Sequence, residues 1–270
     1  MVARVLLIED DTLIRRFVRM ALEELPIELV EAATIAQALD RLREAPADVL
    51  LTDLMLPDGH GADLLDTLRA DPPRPGLAQC IVFSAGVSAA MRQRLEALGV
   101  GRILDKPVAM GALIDAVEQA LAGPRTPLTL PVPVSVPATV NEALDPPAAP
   151  LSAAPGPAVV ASGPPERSEA EAAAIAAHFA GQAGLFAAFK ASSLAQLAED
   201  AAAGDAAFRD GDLGAVHRLA HSLKSVLQLL GRDAASERAR ALERAASEHA
   251  PLVELLPMWR RLRADLVAAH

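Results

Sequence analysis

DVLLTDLMLPDGHG, residues 48–61, is the stretch on which the fold turns. Its first half is a short apolar run, Val49 to Leu51, followed by Thr52 and an acid, Asp53. Its second half carries Pro57, Gly59 and Gly61, which favour a tight loop close behind that acid. A run that is apolar at successive positions suits a strand buried on both faces. Four more short runs flank it: RVLLIE (4–9), IELVEA (27–32), AQCIVFS (78–84) and GRILDK (101–106). Helix-period segments lie between them, near 12–24, 34–44, 61–70, 87–98 and 109–121. Strand then helix, five times over, predicts an α/β unit whose parallel sheet is covered on both faces. Glu28 and Glu31 mark the second run as an edge strand.

Four of these strands end in residues that chemistry can use. The first ends in Glu9-Asp10-Asp11, the third in Asp53, the fourth in Ser84 and the fifth in Lys106. Open parallel sheets bind ligands outside the carboxyl ends of their strands, so these residues converge on one crevice. Carboxylates so gathered repel one another unless a cation sits among them. An all-oxygen site without Cys or His suits Mg²⁺. A carboxylate beside Mg²⁺ can attack phosphorus and become an aspartyl phosphate, the metal shielding the transferring group. In this reading Asp53 is the nucleophile, while Lys106 and Ser84 contact phosphoryl oxygens.

The texts VLLIEDD, DVLLTDLMLPDGHG, IVFSAG and LDKPV together resemble the response-regulator receiver family over residues 3–122. The resemblance implies a doubly wound, five-stranded parallel sheet of order 2-1-3-4-5. It implies Mg²⁺ ligation by Glu9, Asp10, Asp53 and the backbone carbonyl of Met55. It also implies a cis peptide between Lys106 and Pro107. Ile103 departs from the family, which usually has Tyr or Phe three residues before the lysine.

Composition breaks near Gly123, where 12 of the chain's 21 prolines fall within residues 123–167. Proline fixes φ and removes a donor, so this segment reads as a semi-extended linker between a first domain, 1–122, and a second, 168–270. A flexible linker of that length spans ~35–40 Å on average, enough for the two domains to meet. The second domain is helical throughout, with candidates near 169–180, 183–203, 212–230, 233–249 and 252–268. Glycines from Gly204 to Gly211, Gly231 and Pro251 read as its breaks, and Asp212 as a helix cap. Four longer helices with short connections suggest an antiparallel four-helix bundle.

One helix of that bundle, LGAVHRLAHSLKSVLQLLG, separates into faces at ~100° per residue. Val216, Leu219, Ala220, Leu223, Val226, Leu227 and Leu230 make an apolar face. His221 falls roughly opposite, at ~160° from Leu223, and shares an outer face with His217, Lys224, Ser225 and Gln228. An outward imidazole is available as a nucleophile, with Lys224 one turn on to stabilise phosphoryl oxygens. AHSLKS, completed by Leu230-Gly231, together with AAAGDAAFRDGDLGAV and ARALE, resembles the histidine-containing phosphotransfer (HPt) family over about 168–270. The resemblance implies phosphoryl carriage on His221, aided by Lys224. Ser225 stands where the family usually has glycine.

Charge narrows the partners. The chain carries net charge -10, of which -7 falls in residues 1–122, -1 in 123–168 and -2 in 169–270. Neither half offers the basic footprint of a nucleic-acid or anionic-membrane binder, and Arg260, Arg261 and Arg263 read as a solvated face. Cys80 lies alone in an apolar run, as a buried hydrophobe would. No apolar stretch approaches the ~20 residues of a membrane helix, and Val5–Ile8 is too short for a signal peptide, so a cytoplasmic protein without membrane insertion is expected. No Gly-rich ATP-binding segment accompanies the bundle, so the expected function is a phosphorelay intermediate, not an ATP-dependent kinase. Its partners would be a sensor histidine kinase and other receiver or HPt proteins. The competing reading is a phosphorylation-controlled adaptor whose bundle binds without being phosphorylated.

Overall fold

In the computed structural model of the 270-residue chain, residues 2–70, 79–123 and 167–267 are described. The Pro-rich linker expected at 123–167 lies almost wholly outside them. The first region runs β1 (Ala3–Ile8), α1 (Thr12–Leu22), β2 (Ile27–Ala32), α2 (Ile35–Glu44) and β3 (Val49–Thr52). A small hairpin follows, β4 (Met55–Leu56) and β5 (Gly59–His60), then α3 (Gly61–Ala70). It ends with β6 (Gln79–Ser84), α4 (Ala89–Ala97), β7 (Arg102–Asp105) and α5 (Met110–Ala122).

The main sheet is parallel throughout, with order β2-β1-β3-β6-β7. With the hairpin set aside, this is the expected 2-1-3-4-5 order, with β2 at an edge. Alternation along the central strands feeds two cores. Val5, Leu7, Val49, Leu51, Ile81 and Phe83 point to the face covered by α1 and α5. Leu6, Ile8, Leu50, Cys80 and Val82 point to the face covered by α2, α3 and α4. Cys80 is thus a buried hydrophobe, and burial pushes its thiol up to about 12.

Five helices follow: α6 (Arg167–His178), α7 (Ala183–Asp210), α8 (Leu213–Leu229), α9 (Asp233–Ser247) and α10 (Leu252–Val267). α7 packs on α8 and α10, and α9 packs on the same two, closing a ring compatible with a bundle. Asp212 caps α8 by accepting from the Ala215 N–H at 2.8 Å. α7 does not break at Gly204, as its composition suggested, but runs on to Gly211, which takes the left-handed φ of 74° that ends it. Gly204 is instead a packing position: a Cβ there would lie 2.1 Å from the Trp259 ring of α10. The ring's Nε1–H is fixed nearby on Asp205, at 2.9 Å.

The α1 face of the sheet does not meet solvent alone. Its core continues into α6 and α7, where Phe17 of α1 meets Phe179 and Phe189 edge-on at 5.5 and 6.0 Å between centroids. The helical region is therefore docked on the sheet region.

Candidate functional site

β1, β3, β6 and β7 deliver their carboxyl ends to one crevice, as parallel pairing requires. Of the three acids after β1, Asp11 is taken by the helix: its Oδ1 accepts from the N–H groups of Leu13 and Ile14, at 2.7 and 2.9 Å. Glu9, Asp10 and Asp53 remain, each offering an oxygen within 4.8 Å of the others. Asp53 is 2% exposed and Glu9 1%. Lys106 from the end of β7 donates to both, at 2.6 Å to Asp53 Oδ2 and in a very short contact to Glu9 Oε2. Its ammonium also lies 4.8 Å from the centroid of the Phe83 ring. The Asp53 Oδ1 accepts from the Leu54 N–H at 2.5 Å and the Met55 N–H at 3.3 Å. The hairpin loop closes tightly because Gly61 has no side chain; a Cβ there would sit 2.1 Å from the Asp53 carbonyl oxygen. The Lys106–Pro107 peptide is cis.

These contacts divide the acids. Burial pushes the Asp53 carboxyl upward, but Lys106, His221 and the Ser84 hydroxyl outweigh it and hold the group below its ordinary range. Burial pushes Glu9 well up, with Asp53 and Asp11 adding to the rise against the pull of Lys106. Asp10 is raised for the same reason, burial first and Asp53 next. Lys106 is raised because Asp53 and Glu9 outweigh its own burial. Crowded carboxylates of which two resist ionising are what a hard divalent cation relieves, and the donors are all oxygen. The residues therefore fit Mg²⁺. They are also the only grouping of three or more metal-ligating side chains among the described residues.

His221 on α8 stands against this crevice, near enough for its charge to act on Asp53. The helical wheel placed it on an outer face, where an exposed imidazole was expected. In the structure the face is covered, and His221 is 5% exposed, Lys224 7% and Ser225 1%. Its Nδ1 meets Glu243 Oε1 of α9 at 2.5 Å, and Lys224 Nζ binds the same carboxylate at 2.8 and 2.6 Å. Burial alone would raise Glu243, but hydrogen bonds from His221 and Lys224 hold it down at about 2. An ionised carboxylate only accepts, so Nδ1 is the nitrogen that carries the proton. Nε2 is buried and makes no hydrogen bond among the described residues. Lys224 thus reaches His221 through Glu243, a residue to which the sequence reading gave no role. The Ser225 hydroxyl is also buried without a hydrogen-bond partner among the described residues.

A doubly wound sheet with this acid crevice, its lysine and its Ser84 is the architecture of a receiver module of two-component signalling. The model of the response regulator receiver domain matches residues 5–118, and the chain belongs to that family. The response regulator receiver protein CpdR of Brucella abortus (strain 2308) is 34% identical over 119 residues, 44% of this chain and 96% of that protein. The virulence sensor protein BvgS of Bordetella pertussis is 31% identical over 140 residues, 50% of this chain and 11% of that one. A CheY-like receiver domain structure from Methanospirillum hungatei aligns with 25% identity and a TM-score of 0.42, over 45% of this chain and 95% of its own. The helical region lies outside the matched residues 5–118. Among the described residues no single helix is long and apolar enough to cross a membrane.

Proposed function

We propose that the chain is a phosphorelay protein, a receiver domain (1–122) linked through 123–167 to an HPt-like four-helix bundle (168–270). Asp53 accepts a phosphoryl group, and His221 carries one as phosphohistidine. The observation that carries the second half of this reading is the His221–Glu243–Lys224 cluster. A carboxylate fixed by a lysine holds one ring nitrogen, which leaves the other with a directed lone pair. The same orienting logic serves nucleophile–base pairs generally.

In the receiver, Lys106 and Ser84 flank Asp53 where phosphoryl oxygens would lie. Mg²⁺ held by Glu9, Asp10, Asp53 and the Met55 carbonyl would neutralise charge on the transferring group. The backbone amides of Leu54 and Met55 keep the acceptor carboxylate aimed. The proposed partners are a sensor histidine kinase as donor and other receiver or HPt proteins as further stations, in the cytoplasm.

Acid and base lability tests the assignment. Phosphoryl on Asp53 is labile to base, whereas phosphoryl on His221 is labile to acid and stable to base. The expected result is that His221→Ala removes the acid-labile, base-stable fraction and Asp53→Ala the base-labile one. Persistence of the acid-labile, base-stable fraction in His221→Ala would reject His221 as the carrier and leave a binding-only bundle.

A further inference from the structure

The acceptor crevice and the histidine helix face each other inside one molecule, and the junction between them is built rather than incidental. The chain has six phenylalanines, and four of them, Phe17, Phe179, Phe186 and Phe189, form one contact cluster across it. In a chain with so few aromatic residues that concentration marks a specific surface. Polar groups meet along the same line: Asp10 and Asp11 share a hollow with Arg218 of α8 and with Gln196 and Asp200 of α7. Lys106 and Asp105 share a cavity of about 540 Å³ with His217, Lys224 and Glu243. At the centre the His221 Nε2 is buried with no hydrogen bond among the described residues, a costly arrangement unless something is to be received there.

We infer that the receiver's phosphotransfer partner is its own chain: α8 is docked over the acceptor crevice, and phosphoryl passes between Asp53 and His221 within one molecule. This rests on the reading of His221 as a phosphoryl carrier. The Nε2 lone pair attacks phosphorus, and an N–P bond forms as the bond from phosphorus to the Asp53 carboxyl oxygen breaks. That electron pair returns to Asp53 as a carboxylate. Nδ1 keeps its proton against Glu243, and the three phosphoryl oxygens are unchanged. No water, oxidant or reductant takes part, and the reverse step is the same exchange read backward. Both partners are buried in this arrangement, so exchange with an external histidine or aspartate requires the helical region to lift from the receiver. Docked and lifted states would then separate internal from external exchange.

The test uses the full chain with Mg²⁺ and radiolabelled acetyl phosphate as a small phosphodonor. Acid-labile, base-stable label should reach His221 with a per-molecule rate constant that is unchanged over about 100-fold dilution, as an intramolecular step requires. An equimolar mixture of Asp53→Ala and His221→Ala chains should label His221 at less than about a tenth of that rate. A rate that scales with concentration, or full labelling in the mixture, overturns internal transfer while leaving His221 a carrier. Label that stays on Asp53 and never reaches His221 overturns the carrier reading and the inference with it. Small-angle scattering of the unlabelled chain gives a separate check, since the docked arrangement predicts one compact particle. Two separated bodies would overturn the docking whatever the chemistry.

Discussion

Two buried lysines, each bound to a carboxylate, sit on either side of the junction, and they do different work. Lys106 binds Asp53, the proposed acceptor, together with Glu9. Lys224 binds Glu243, which in turn holds His221, so that it reaches the proposed carrier only through another residue. The difference follows from charge. In the proposed relay an anionic Asp53 receives an anionic phosphoryl group, so a cation has to stand beside it. An imidazole nucleophile brings no negative charge; what it needs is a fixed tautomer and direction, which a carboxylate supplies and a lysine can anchor.

The largest expected effect separates the two lysines. Lys106→Ala should lower Asp53 labelling by acetyl phosphate by about 10²–10³-fold, since it removes the cation at the reacting centre. Lys224→Ala should cost His221 labelling only about 10-fold, because Glu243 still orients the ring. Initial labelling rates decide it, and equal losses at the two sites would remove the distinction. Glu243→Gln comes next. It keeps a hydrogen-bonding side chain but removes the charge, and should slow transfer to His221 about 10–100-fold while Asp53 labelling by acetyl phosphate stays unchanged. A Glu243→Gln chain that transfers at the full rate would reduce Glu243 to a structural contact.

The two sites also differed in how far they could be read from sequence. Glu9, Asp10, Asp53, Ser84 and Lys106 each close an apolar run, and parallel pairing brings such ends together whatever their separation along the chain. Glu243 reaches His221 only through the packing of α9 on α8, a relation no local pattern encodes. It lies within ARALE, one place after buried Leu242, and nothing in that text distinguishes a partner of His221 from a solvated acid. The wheel set His221 apart from the apolar face of its own helix but gave no account of its burial, because the Glu243 side chain it meets comes from a different helix. Gly204 was misread for a similar reason: the Trp259 ring that requires it comes from a different helix.

Glycines sharpen the comparison at a smaller scale. A Cβ at Gly61 would meet the Asp53 backbone and one at Gly204 the Trp259 ring, both at 2.1 Å. Each alanine substitution should destabilise by about 1–3 kcal/mol in denaturant unfolding. Only Gly61→Ala should also impair Asp53 labelling, since only that clash displaces the acceptor. Loss of Asp53 labelling in a folded Gly204→Ala chain would show that α7 packing controls the crevice.

The smallest effect concerns pH, and it asks whether a cation partner is what sets the ionisation of an acid in the helical region. Glu243, bound to Lys224 and His221, is held at about 2 against its ordinary 4.5. Its contribution to folding is present above the ordinary value and is lost as pH falls toward 2. Asp200 on α7 is the contrasting case, because its hydrogen bond comes from the neutral Gln196 amide at 3.0 Å. Burial first, then Asp11 and Glu199, push it up to about 6 against that hydrogen bond. Folding therefore favours its protonated form, and this contribution is full below the ordinary carboxylate range and lost as pH rises through about 6. Asp200→Asn should raise Tm by about 2–4 °C at pH 8 and leave it nearly unchanged at pH 4. Asp200 shares its hollow with Asp10, Asp11 and Arg218, so if the docked junction contributes to its burial, the same substitution should also flatten the pH dependence of docking measured by scattering. A gain in Tm that is equal at both pH values would mean that Asp200 acts through packing and not through its charge.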